Sequence, residues 1–197
     1  MAGVFINYRS KDQPLGAAAI HDHLARRFGH GRVFRDCVSM GPGDRYPDEL
    51  RSALRSADIL LAIIGPEWLT MAEGGQRLID RPFDWVRYEI ATAFQQGIQV
   101  LPVLLKETPA SAGRITKGDL PADISEIASR QAFEFSQRRF GAALDELVAR
   151  IVELVPTLAD VLDVPTPPNA ASAATTTMRD VHIAGNGVIG INNGDMR

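Results

Sequence analysis

The run ILLAII at residues 59–64 limits the possible folds more than any other segment of this chain. It is apolar at every position and rich in β-branched side chains. It shows neither the polar face of a surface helix nor the alternation of a half-solvated strand. Such a run predicts a strand covered on both sides, the central strand of a parallel sheet. Gly65-Pro66 stops it. It is also far too short to cross a bilayer, which takes about 20 residues as a helix.

The segments around this strand repeat one pattern. Val4-Phe5-Ile6 reads as a buried first strand. Pro14 opens a helix in which Ala17, Ile20, Leu24 and Phe28 recur every three or four residues, and Gly29 and Gly31 end it. Val33-Phe34 is a second strand, and residues 35–46 form a loop around Gly41-Pro42-Gly43. Pro47 suits the first turn of a helix whose buried face is Leu50, Ala53, Leu54 and Ala57.

Residues 67–83 are mixed and predict a short helix and a loop. Asp84 caps the next helix, with Val86, Ile90, Ala93 and Phe94 toward the core and Gly97 at its end. Residues 98–105 form a strand interrupted by Pro102, which removes a ladder hydrogen bond or demands a bulge. Residues 123–129 fit one or two helical turns, and residues 132–135 a short strand. Phe140, Leu144, Leu147, Val148, Ile151 and Val152 line a final helix.

Strand and helix thus alternate five times. The expected fold is a flavodoxin-like, three-layer α/β domain: a five-stranded parallel sheet with helices on both faces. Ligands of such sheets bind at the carboxyl ends of the strands, near the point where strand order reverses. Those ends hold residues 8–12, residues 35–46 and the segment from Gly65 onward.

The chain divides into residues 1–155 as the domain, 156–177 as a flexible linker, and 178–197 as a β-prone tail. The linker carries Pro165, Pro167 and Pro168 followed by Ala, Ser and Thr.

Of the 197 residues, 45% are hydrophobic and 23% charged, and the net charge is −3. Basic residues are dispersed. Neither nucleic acid nor a membrane surface is expected as partner. Cys37 is alone, so disulfides and cysteine-paired zinc sites are not expected, and a reducing, cytoplasmic setting is. The N-terminus lacks a basic stretch followed by an apolar one, so no signal peptide is read there. His21 and His23 lie two apart on a helix and point apart, so no metal site is expected. Gly41-Pro42-Gly43 lacks the spacing of a dinucleotide fingerprint. A flavodoxin-like receiver would need an acidic cluster and a phosphorylatable Asp that the strand ends do not supply.

Four segments, in order, resemble one family. VFINYRSKD resembles the first conserved box of TIR domains, and VFRDCVSMGPGD the second. DWVRYEIATAF resembles the Trp-x-x-x-Glu segment of the catalytic TIR subgroup, and IQVLPVLL the strand after it. The likeness covers roughly residues 1 to 155 and points to a bacterial-type member. Catalytic members cleave NAD⁺, releasing nicotinamide with ADP-ribose or a cyclised form; other members are adaptors. The resemblance implies that Glu89 is the essential glutamate and that NAD⁺ is substrate, with no separate cofactor. It implies an effector in defence or cell-death signalling that self-associates.

Tyr8 and Arg9 stand where the family places nucleotide contacts; the alternative is a packed Tyr8 and a surface charge at Arg9. Arg35 suits a bidentate pyrophosphate contact. Arg35 and Asp36 can equally order their own loop. Ser10 and Asp12 can instead cap the first helix. Asn7 and Ser10 depart from the Ser, and the Arg or Glu, frequent in the first box. Val38 and Met40 remove an acidic contact from the second.

The residues support this chemistry on their own terms. Trp85 and Glu89, four apart, share a helical stripe. It lies ~100° from the Val86–Ile90–Phe94 face, so both can border a cleft. Breaking a nicotinamide–ribose bond builds positive charge on the sugar, which a fixed carboxylate stabilises. Trp85 can stack on a flat heterocycle.

The tail is different in character. Within residues 181–196, Val181, Ile183, Ile189 and Ile191 alternate with small or polar residues around Gly185-Asn186-Gly187. Asn186, Asn192 and Asn193 can form ladders if chains stack. IGINN, residues 189–193, loosely resembles amyloid signalling motifs of the RHIM type. That resemblance implies an upstream sensor with a matching motif and activation by clustering. A hairpin or an unstructured tail is the alternative.

Overall fold

The computed structural model describes residues 3–35, 48–106, 115–136 and 139–159. In chain order the elements are β1 (Val4–Tyr8), α1 (Pro14–Phe28), β2 (Val33–Arg35), α2 (Asp48–Arg55), β3 (Ile59–Ile64), β4 (Ala72–Glu73), β5 (Gln76–Arg77), α3 (Trp85–Gln95), β6 (Gln99–Lys106), β7 (Phe133–Ser136) and α4 (Phe140–Leu154). Five strands make one parallel sheet in the order β2-β1-β3-β6-β7. The expected three-layer α/β fold is therefore the observed one.

β3 sits at the middle of the sheet, and all six of its residues are buried. Its side chains alternate between two cores, as strand geometry requires. Leu61 and Ile63 join Val4, Ile6, Leu101 and Val103 under α1 and α4. Leu60, Ala62 and Ile64 join Phe5 and Val100 under α2 and α3. Truncating Leu61 to Ala in such a site costs about 2–5 kcal/mol.

The helices bury the stripes that periodicity predicts. Ala17, Ile20, Leu24 and Phe28 of α1 are fully buried. Pro14 opens that helix, and Gly29 leaves it at φ 94°, a conformation glycine adopts without strain. After α4, Val155 and the turn Pro156–Leu158 continue the packing, with Leu158 buried beside α1 and α4. The remainder of the predicted linker, and the tail at 178–197, lie outside the described residues.

One local expectation changes, and two are made specific. Residues 67–83 hold no α-helix; they contain the β4–β5 hairpin and a 3₁₀ turn at Leu78–Asp80. Gly74 and Gly75 link the two short strands at φ 61° and 78°, a two-residue turn that needs two left-handed positions. Between β6 and β7 the described residues form 3₁₀ turns, Lys117–Asp119 and Ser125–Ser129, the second within the one or two helical turns expected at 123–129. Pro121 has no N–H for a helical ladder, while Leu120, Ile124 and Ile127 are still buried. Pro102 causes no bulge: the β3–β6 register runs unbroken through Ala62 and Pro102. Pairing with β7 starts only at Val103, so Pro102 has a neighbouring strand on one side alone.

The sheet order reverses between β1 and β3, since β2 lies to one side of β1 and β3 to the other. The carboxyl ends of these two strands, at Tyr8 and Ile64, therefore frame the place where such folds bind ligands.

Candidate functional site

β1 delivers residues to both faces of the sheet at this switch point. Phe5 lies in the core beneath α2 and α3. Asn7, two residues on, is fully buried on that side and reaches α3. Its Nδ2 donates to Glu89 Oε2 at 2.6 Å and to the Val86 carbonyl at 3.2 Å. Arg9, just past the strand, also turns toward α3 and makes two contacts of 2.9 Å with the carboxylate of Asp84.

Glu89 is 2% exposed. The expected cleft-edge stripe of Trp85 and Glu89 is therefore corrected for Glu89. The buried side of α3 is Val86, Glu89, Ile90 and Ala93, spaced i, i+3, i+4, i+7, and Glu89 is part of it. A carboxylate there is tolerated because a donor meets it inside the core. Trp85 is half-buried and stands edge-on to Tyr88, with ring centroids 5.6 Å apart and planes at 84°.

Asp84 has two duties. It caps α3 as predicted, accepting from the Arg87 backbone N–H at 3.1 Å. It also holds Arg9, and the two side chains are 6% and 8% exposed. Arg9 is thus neither a surface charge nor an open cation; it ties the end of β1 to the start of α3.

Tyr8 points the other way, against the core under α1 and α4. The Arg35 guanidinium lies 5.9 Å from its ring centroid. The predicted site residues therefore form two groups at the end of β1: Glu89 and Arg9 on the α3 side, Tyr8 and Arg35 on the α1 side. Asp36 lies outside the described residues.

Asp12 does not cap α1. Gln13 occupies the cap position, and no side chain caps it. Asp12 instead reaches across the switch point to accept from the backbone N–H groups of Gly65 and Glu67, each at 3.0 Å. Burial raises its pKa, and the Glu67 charge adds to this; the two N–H donors and Arg9 pull it back down. Gly65 is required for this approach, because a Cβ there would fall against both Asp12 oxygens. Ser10 is exposed.

The contacts of Asn7 with Glu89, of Asp12 with Gly65 and Glu67, and of Asp84 with Arg9 were not foreseen from the sequence. The signal for Asn7 was its place in the alternation Phe5–Asn7, a polar residue on a covered face.

Among the described residues, no three His, Cys, Asp or Glu side chains gather as a metal-binding group. His21 contacts Asp22 and His23 contacts Asp145, so the two histidines serve separate neighbours. No described helix is long and apolar enough to cross a membrane.

The arrangement is a buried carboxylate fixed by a neutral amide, beside an ion pair whose charges offset each other. A carboxylate so placed stabilises positive charge that develops next to it, with little reorganisation.

A family model described as "TIR domain" matches residues 4–148. The chain is similar to a protein of Brachypodium distachyon named probable 2' cyclic ADP-D-ribose synthase BdTIR. The two are 25% identical over 163 residues, which cover 80% of this chain and 66% of that protein. The chain thus spans just under two thirds of that relative's length. Among solved structures it is similar to the TIR domains of the activated Roq1 resistosome that directly recognizes the pathogen effector XopQ. That likeness has a TM-score of 0.52 at 11% identity and covers 76% of this chain and 98% of the other. It bears on the fold alone.

Proposed function

The chain belongs to the TIR domain family, and from that premise we propose that it cleaves NAD⁺ at the nicotinamide–ribose bond, with Glu89 as the carboxylate that stabilises the reacting sugar. The observation that carries this reading is the burial of Glu89 to 2% exposure, held at 2.6 Å by Asn7. A structural domain has no need of a carboxylate in its core, and placing one there is expensive. In the reaction the bonding pair leaves with the nicotinamide nitrogen. A water oxygen or a hydroxyl of the substrate forms the new bond at the sugar and releases a proton. The relative named as a probable 2' cyclic ADP-D-ribose synthase supports the cyclising branch.

We place the activity in a defence or cell-death effector that works when clustered, through its TIR domain and through residues 181–196. The tail sequence supports that part of the reading. An upstream sensor with a matching motif would supply the trigger.

A non-catalytic TIR–TIR scaffold is the second reading. It is favoured by Arg9, whose guanidinium is already engaged by Asp84 and so is not set out for a nucleotide.

The test is nicotinamide release from NAD⁺ by the purified full chain at low and high protein concentration, alongside Glu89→Gln. Release that climbs steeply with concentration and falls at least about a hundredfold in the variant is expected. Absence of release from deliberately clustered protein would leave the scaffold reading.

A further inference from the structure

Asn7 and Glu89 are 82 positions apart in the chain, and both are buried where they meet. The Val86 carbonyl settles how the Asn7 amide is turned. A carbonyl only accepts, so the group 3.2 Å from it is the NH₂. The same NH₂ then donates to Glu89 Oε2 at 2.6 Å. Turning the amide over would set its oxygen against the Val86 carbonyl and the Glu89 carboxylate together. The amide oxygen, Oδ1, is buried and has no hydrogen-bond partner among the described residues. An orphaned acceptor of this kind is unfavourable. The amide is therefore committed to Glu89 and Val86 at the expense of its own oxygen.

We propose that Asn7 is the positioning residue of this site: its NH₂ anchors α3 through Val86 and holds the Glu89 carboxylate in its anionic form and in one direction. This rests on the role given to Glu89 above. The geometry favours holding over mere packing. Both acceptors sit on one turn of α3, so one amide fixes the backbone of the turn and the side chain it carries. Donation stabilises the charged carboxylate more than the neutral acid.

Among the described residues, several other charged groups lie near this turn. Arg9 and Asp84 offset each other. Arg87 extends to Asp123 at 3.0 Å. On α2, Asp48, Arg51 and Arg55 are exposed. The neighbouring residues of β3 and β6 in this core, Leu60, Ala62, Ile64 and Val100, are apolar.

The test is a carboxyl-carbon NMR titration of Glu89 in the full chain labelled at glutamate, assigned with Glu89→Gln. Wild type, Asn7→Ala and Asn7→Ser are compared, and nicotinamide release is followed against pH in the same samples. Loss of a hydrogen bond to a charged group predicts that Asn7→Ala raises the Glu89 titration by about one to two pH units. The acid limb of kcat/KM is expected to move by the same amount, with kcat affected more than KM. The hydroxyl of Asn7→Ser restores part of the shift; if Asn7→Ala does not fold, Asn7→Ser against wild type still reads a smaller shift in the same direction. An unmoved Glu89 titration overturns the proposal. Should the titration move while even wild type releases no nicotinamide, the positioning role stands and the NAD⁺ reading alone falls.

Discussion

Arg9 and Asp84 form a two-pronged ion pair across the end of β1 and the start of α3, with both contacts at 2.9 Å and both side chains nearly buried. Removing one member leaves the other charged and desolvated. Arg9→Ala is therefore expected to destabilise the domain by about 3–5 kcal/mol. Asp84→Ala falls in the same range and also removes the α3 cap, worth about 1 kcal/mol. The double variant Arg9→Met, Asp84→Leu strands no charge and loses less than the two single losses together. Urea unfolding of the three proteins checks this; additive losses would mean that the pair does not act as a unit.

Gly65 and Asp12 depend on each other in a similar way. A Cβ at Gly65 would press on a carboxylate that two backbone N–H groups hold in place. Gly65→Ala is expected to cost about 1–3 kcal/mol, the usual range for overpacking. In an Asp12→Ala background the same substitution meets only the Gln13 side chain, so part of the loss is removed and part remains. A clearly sub-additive double variant in thermal or urea unfolding is the expected outcome.

Most of the fold was legible because its signals are local. ILLAII announces the central strand, and the spacing of Ala17, Ile20, Leu24 and Phe28 announces α1 and its buried side. The site was only half legible. Glu89 was reached through the Trp-x-x-x-Glu resemblance, yet its burial was missed. Helical angles placed it at the margin of an apolar stripe, and only the approach of β1 shows that Val86, Glu89, Ile90 and Ala93 face inward together. Asn7 looked like a departure from a motif because its partner is 82 residues away. The separation of Tyr8 from Arg9 follows from strand alternation and was available in the sequence. The β4–β5 hairpin was also written there, in the Gly74-Gly75 pair between two short segments.

The pH dependence of stability should carry a component from Asp12 with a definite sign. Burial raises its folded pKa above the ordinary aspartate value of 3.8. Folding therefore takes up a proton between 3.8 and that raised value. The stability Asp12 contributes is full below 3.8 and is lost as pH rises through the folded pKa. Asp80 has the opposite sign, since its hydrogen bond from Arg77 lowers its pKa; its contribution holds at higher pH and is lost on acidification. The advantage of wild type over Asp12→Ala is thus expected to be largest at acid pH and to shrink toward neutrality. Paired urea titrations from about pH 3.5 to 7 measure that difference directly, and a gap that widens with pH contradicts the assignment.

Trp85 tests whether the outer rim of α3 meets a ligand or only its neighbours. The ring is half-buried, edge-on to Tyr88 at 5.6 Å, and one residue after the Asp84 cap. An aromatic pair of this geometry is worth about 0.5–1.5 kcal/mol beyond its buried area. Trp85→Phe keeps an aromatic edge and is expected to retain most of the stability, while Trp85→Ala loses the pair. Stacking on a substrate ring would add a second signature. Trp85→Ala would then raise KM for NAD⁺ by about two- to tenfold, from the stacking energy alone, and Trp85→Phe would recover much of it. If both variants keep the wild-type KM and differ only in melting temperature, Trp85 is a packing residue, and any base contact must come from the α1 side of the sheet, where Tyr8 lies under Arg35.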